Sequence, residues 1–201
     1  AFIGAADNSV ITGVSASFSN VDGQKITAGL IGSAQDGCHI TSAQYTGAVN
    51  VTSECIGGLV SWVYDNVSIS KSTVKATSIV GKGDYVGGLV GFSLESNYAD
   101  NSISANLISG SSNYTGGAIG LASGMTASNS YVFVSNIKGG AYTGGFVGKN
   151  VQNSDKVSNC GVVANVAGTE YVGGFNGSFN GTANNVFAIG DIASTESYCG
   201  G

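Results

Sequence analysis

Tyr85-Val86-Gly87-Gly88-Leu89-Val90-Gly91 is the stretch on which the fold turns, because it returns at a fixed interval. It comes back as Tyr114-Thr115-Gly116-Gly117-Ala118-Ile119-Gly120, as Tyr142-Thr143-Gly144-Gly145-Phe146-Val147-Gly148 and as Tyr171-Val172-Gly173-Gly174-Phe175-Asn176-Gly177. Looser copies stand at Ala28-Gly29-Leu30-Ile31-Gly32 and Gly57-Gly58-Leu59-Val60-Ser61. The residues Gly29, Gly58, Gly88, Gly117, Gly145 and Gly174 are separated by steps of 29, 30, 29, 28 and 29. A period this steady marks a repeat architecture, in which no single repeat can bury its own apolar face and neighbours must stack.

Between these copies lies a second motif, as in Ala127-Ser128-Asn129-Ser130-Tyr131-Val132 and Val157-Ser158-Asn159-Cys160-Gly161-Val162. Each repeat therefore holds two short apolar stretches separated by polar, turn-forming residues. Alternation such as Val132-Phe133-Val134-Ser135-Asn136-Ile137 reads as strand. No stretch of ten residues carries apolar positions at helical spacing with caps around them. The pattern predicts an all-β fold, a parallel β-solenoid of about seven coils with a period near 29 residues, forming a single domain over residues 1–201. At about 4.8 Å per coil it spans roughly 34 Å.

Stacked coils place equivalent residues in columns. Tyr85, Tyr114, Tyr142 and Tyr171 form one; Leu59, Leu89, Ala118, Phe146 and Phe175 form another, facing inward. Asn101, Asn129, Asn159 and Asn184 are expected to form a third, a ladder of turn amides bonded along the axis.

Composition agrees. Glycine makes up 33 of the 201 residues and proline is absent, while 42% of residues are apolar. Proline would remove donors from the ladders, and glycine supplies tight corners and close backbone approach. Charged residues are 9% of the chain and the net charge is −5, with seven basic residues spread out. That is no footprint for nucleic acid. No apolar run reaches the length of a spanning helix, and no basic amphipathic segment marks a membrane surface.

The paired pattern resembles the GLUG motif, whose repeat runs Ile-x-Asn-Ser/Cys-Tyr-x-x-Gly-x-Val, a turn, then Tyr-Val-Gly-Gly-Leu-Val-Gly. The matching residues are Asn159-Cys160 with Tyr171 to Gly174, and Asn129-Ser130-Tyr131 with Tyr142 to Gly148. The first two repeats depart, with Ala28 at the first glycine and Cys55 at the tyrosine. Such repeats occur in large secreted or surface-bound proteins, including bacterial adhesins. The resemblance implies an extracellular or cell-surface structural role, with no catalysis and no cofactor.

Candidate sites are few. The tyrosine column offers either a flat platform for sugar rings of surface glycans or simply a stack of rings in a ladder, and ladder stacking accounts for it without a ligand. Cys38, Cys55, Cys160 and Cys199 form no CxxC pair, which argues against zinc. They are either disulfide partners, for instance Cys38 with Cys55, or small buried thiols. Glycosylation sequons begin at Asn50, Asn66, Asn113, Asn176 and Asn180, and in so Asn-, Ser- and Thr-rich a chain several arise by chance. Asn176, inside a Gly-Gly copy, leaves little room for a glycan. His39 has no recognisable nucleophile or second histidine beside it. The acidic residues, among them Asp36, Asp65, Asp84, Asp100, Asp155 and Asp191, take different repeat positions. They form no obvious carboxylate set for a polysaccharide-degrading solenoid. Gly81-Lys82-Gly83 lacks the spacing of a phosphate loop.

The chain runs from Ala1-Phe2-Ile3-Gly4 to Tyr198-Cys199-Gly200-Gly201. Read end to start, these nearly rebuild the Gly-Gly motif, one residue out of register. The expected partner is therefore another copy of the unit, head to tail, in tandem or as separate subunits.

Overall fold

The structure is a computed structural model describing residues 1–52 and 54–201. It is the expected parallel β-solenoid. Among the described residues there is no helix, and every paired strand runs parallel to its neighbour one coil away. Four sheets run the length of the molecule. Sheet A gathers the strands that follow the Gly-Gly corner, from Ile3–Asp7 through Val90–Leu94 to Asn176–Ser178. Sheet B gathers short strands such as Asn97–Ala99, and sheet C long ones such as Thr73–Gly81. Sheet D collects the Tyr-x-Gly strands, such as Tyr85–Gly87 and Tyr114–Gly116. Sheets A, B and D hold seven strands each, and sheet C eight because the last coil splits into Phe187–Ile189 and Ile192–Ser194. One coil is one pass through A, B, C and D, so there are seven coils.

The corners explain why the sequence coils. Between sheets B and C every coil places one residue in the left-handed region: Gly13, Ser42, Lys71, Asp100, Asn129, Asn159 and Asn185, with φ between 48° and 67°. Asn, Asp and Gly tolerate this conformation best, which is why they recur there. Between D and A the chain turns on the Gly-Gly pair. A Cβ on Gly88 would lie 2.0 Å from the Gly117 carbonyl oxygen one coil on, so the coils approach here backbone to backbone.

Inside, the columns are continuous. Leu30, Leu59, Leu89, Ala118 and Phe146 are at most 1% exposed, and Phe146 stacks on Phe175 with ring centroids 5.1 Å apart. Ile40, Ile69, Tyr98, Ala127 and Val157 form a second inner column from sheet B. Sheet C supplies a third, with Tyr45, Val74, Ile103, Val132 and Val162. Tyr45 and Tyr98 are fully enclosed, yet each hydroxyl has a partner: Ala48 O at 2.8 Å and Ser93 Oγ at 2.6 Å. Burial pushes the Tyr45 phenol up to about 12.

Sheet C also bends. In coils three to five one residue interrupts the alternation (Thr77, Asn106, Ser135), so inward positions jump from Ala76 to Ile79 and from Ala105 to Ile108. A one-residue shift reverses which face a side chain takes, and here it lets the strand wrap the core.

The amide ladder exists, but two of its expected members are off by one. Asn185 Nδ2 donates to Asn159 Oδ1 at 3.2 Å, Asn159 Nδ2 to Asn129 Oδ1 at 3.3 Å, and Asn129 Nδ2 to Asp100 Oδ1 at 3.1 Å. Asn184 sits one residue before the corner, in register with Ser158. Asn101 sits one residue after it and points inward, 1% exposed. Its Oδ1 accepts from Ser72 N at 3.0 Å and its Nδ2 donates to Ile69 O at 2.9 Å, which satisfies buried backbone groups of the preceding coil.

Candidate functional site

The tyrosines named from the sequence come together in one outward column on sheet D. Tyr85, Tyr114, Tyr142 and Tyr171 are in register, and Tyr198 extends the column to a fifth ring. Cys55 takes the position below Tyr85, as the motif alignment expects. The rings lie nearly parallel, tilted by 4° to 22°, with centroids 4.7 to 5.5 Å apart. A parallel in-register ladder dictates this arrangement, and each such contact is worth about 0.5–1.5 kcal/mol beyond burial. It also decides what the column presents. Each ring covers its neighbour's face, and the edges turn to solvent or to sheet A. There Phe92 meets Tyr85 edge-on at 5.4 Å and stacks on Trp62 at 4.3 Å, and Lys149 Nζ lies 4.2 Å from the Tyr142 centroid. Sugar rings dock on open aromatic faces, and within this stack the faces are turned to one another; Tyr198, 71% exposed, is the ring at its end.

Of the two readings left open for the cysteines, the disulfide, for instance Cys38 with Cys55, is not formed, and no disulfide occurs among the described residues. The two residues belong to different parts of the coil. Cys38 lies at the corner entering sheet B, where its Sγ accepts from Ser9 N at 3.3 Å. Cys55 opens a sheet D strand and donates to Ser61 O at 3.1 Å, while Ser61 Oγ donates to Cys55 O at 2.5 Å. Burial pushes the Cys55 thiol up to about 12 and raises that of Cys160, whose Sγ donates to Ser158 O. Such thiols resist ionisation and behave as small core residues. Cys199 is exposed, in register with Val172.

Of the sequon residues, Asn66, Asn113 and Asn180 are exposed and Asn50 is half-buried. Asn50 Nδ2 donates to Asn20 Oδ1, Asn113 Nδ2 to Asp84 Oδ1 and Asn180 Nδ2 to Val151 O, so a glycan at these three would take the place of the second Nδ2 hydrogen. Asn66 stands at an outward corner with φ 60°. Asn176 is engaged on both sides, its Nδ2 donating to Asn150 Oδ1 and its Oδ1 accepting from Val147 N.

Sequence reading missed two contacts. His39 Nδ1 lies 2.6 Å from Ser68 Oγ on the outer face of sheet B, a cross-coil pair with the 29-residue spacing that would have exposed it. The other is Asp155, fully buried inside the fifth and sixth coils. Its Oδ1 accepts from Met125 N at 2.7 Å and its Oδ2 from Asn150 Nδ2 at 3.2 Å. Burial holds its carboxyl above the usual range despite these donors. A carboxyl raised in the folded state binds its proton more tightly there than when unfolded. Its contribution is therefore fully present below the unfolded value and declines as pH rises through the folded one. The urea midpoint of the native protein relative to Asp155→Asn should thus fall between pH 4 and pH 7. A difference that stays constant contradicts this.

At the two ends the columns are open. At the first coil Phe2 (58% exposed) continues the Leu30 column and Ile26 (49%) continues the Cys55–Tyr85 column. At the last coil a concavity of about 520 Å³ is lined by Val172, Phe175, Phe179, Ala183, Val186 and Tyr198. Among the described residues no group of His, Cys, Asp and Glu is arranged to hold a metal ion.

No family model, curated protein or solved structure matches the chain.

Proposed function

We propose that the chain is a structural segment of an extracellular filament or adhesin stalk, built by rung-on-rung stacking. The observation that carries this reading is the unbroken run of in-register ladders along one axis, in which every rung templates the next. Among the described residues the first and last rungs each show an unpaired strand edge on all four sheets, and each exposes side chains that extend columns of the shaft: Phe2 and Phe175 the inner Leu30–Phe146 column, Ile26 and Tyr198 the outward sheet D column. Exposed edges of this length template further pairing unless something covers them. A further rung, from the same polypeptide or another copy, would set Phe2-like and Ile26-like residues over the concavity beside Phe175 and Tyr198. Such a contact is heterologous and does not close, so it grows along one axis. The resemblance of the repeat to GLUG motifs supports a surface location, and the low charge favours lateral packing of shafts.

Stiffness is the activity in this account. Backbone ladders, a five-ring tyrosine stack and an amide ladder all run parallel to the axis. The tyrosine column as a glycan platform is disfavoured because its ring faces cover one another. The test is association of the purified protein. Sedimentation should show particles that lengthen with concentration, and the paired substitution Phe2→Asp with Ile26→Lys should hold the protein as single solenoids. A folded 201-residue unit that stays monomeric at every concentration contradicts stacking between separate copies.

A further inference from the structure

Sheet C carries a groove that neither the core nor the end rungs explain. Where Thr77, Asn106 and Ser135 bend the sheet, a cavity of about 470 Å³ opens on the outer face. A second, of about 200 Å³, follows it toward the last coil, and Ser135 lines both. Together they run along the solenoid axis, from Thr46 in the second coil to Ile189 in the seventh.

The two walls differ. One is the outward column Thr46, Lys75, Ser104, Phe133, Val163 and Ile189, which passes from polar to apolar along the axis. Phe133 is 50% exposed and Ile189 60%, a large apolar exposure for the side of a solenoid. The other wall is Thr77, Asn106, Ser135 and Asn165, all exposed, offering hydroxyls and amides. Lys75 is the charged residue among the described residues lining the groove.

This is a lining for an uncharged, amphipathic, extended ligand. Half-exposed Phe133 offers an aromatic surface to the C–H face of a pyranose, and amides and hydroxyls beside it suit the sugar's rim. A polyanion would meet one ammonium on a protein of net charge −5. The groove follows the in-register column, whose positions repeat at about 4.8 Å. That is close to the advance per sugar in an extended β-1,4-linked chain, so a chain laid along the groove places about one sugar on each coil, successive rings turning opposite C–H faces to the wall. We propose that the groove binds a neutral, extended β-1,4-linked glycan along the solenoid axis, with one sugar ring seated on Phe133. This site is separate from the tyrosine column and stands whether or not rungs stack end to end.

The test is titration of the intact protein with cellohexaose and with chitohexaose, followed by calorimetry and amide chemical shifts. At least one hexasaccharide should bind and shift amides at Asn106, Phe133 and Asn165. Phe133→Ala should weaken that binding about tenfold or more, and Phe133→Leu, which keeps bulk without the ring, should weaken it similarly. Tyr142→Ala should leave it unchanged. The proposal is overturned if neither hexasaccharide binds the native protein. It is equally overturned if Tyr142→Ala abolishes binding while both Phe133 variants retain it. A third contrary result is that Phe133→Ala alters only sedimentation, which would make this face a lateral contact between copies.

Discussion

Gly117→Ala is expected to cost more than about 4 kcal/mol of stability and to abolish cooperative folding if the native margin is smaller. The added Cβ would fall 1.9 Å from Gly145 O, with Val132 Cγ1 at 2.7 Å and Ile137 Cδ1 at 2.9 Å. The isoleucine and valine tips can shift, but the carbonyl cannot without breaking the ladder around it. Gly117 N donates to Gly144 O at 3.1 Å and Ala118 N to Phe146 O at 2.8 Å, so moving either backbone unpairs buried polar groups. Gly4→Ala is the matched control. Nothing lies within 4 Å of the Cβ that it would introduce, and its effect should stay within about 1 kcal/mol. Urea denaturation followed by circular dichroism compares the two. Equal midpoints would mean that the Gly-Gly corners are not the close approach described.

Phe146→Ala is expected to cost about 3–5 kcal/mol, the usual range for emptying a buried phenylalanine site. Phe146 is 1% exposed and fills the inner column between Ala118 and Phe175. Ala118 below it is too small to fill the gap, and the Phe175 ring would lose its stacking partner. In a quasi-one-dimensional molecule the damage should also stay local. Hydrogen exchange should speed up at the fifth to seventh coils and change little at the first three. Uniform acceleration along the chain would mean that the coils do not behave as nearest-neighbour units.

Much of this architecture is legible from spacing alone. The Gly-Gly copies fix the coil length, and coil length fixes which residues stack, so the tyrosine and Leu59–Phe175 columns follow from counting. The amide ladder shows where counting fails. Asp100-Asn101 and Asn184-Asn185 each offer two adjacent polar residues, and either suits a corner by composition. The left-handed residue is the one three positions before the inward residue of sheet C: Asp100 before Ile103, Asn129 before Val132, Asn159 before Val162. Counting back from the core would have chosen correctly.

The candidate sites were less legible, for physical reasons. Cys38 and Cys55 are near in sequence, but one coil carries them to different sheets. Asp155 looks like a surface acid until Asn150 and Met125 close over it. The groove beside Phe133 depends on a bend that reverses the strand's alternation partway, which regular periodicity cannot reveal. Tyr198 was visible in Tyr198-Cys199-Gly200-Gly201, where it stands in the same position as Tyr171 in its own copy.

Diffraction from oriented native material tests the stacked shaft most directly. Rungs that continue from one unit to the next predict filaments with a strong meridional reflection near 4.8 Å, strands lying across the fibre axis. Short particles that never join into filaments would contradict the account.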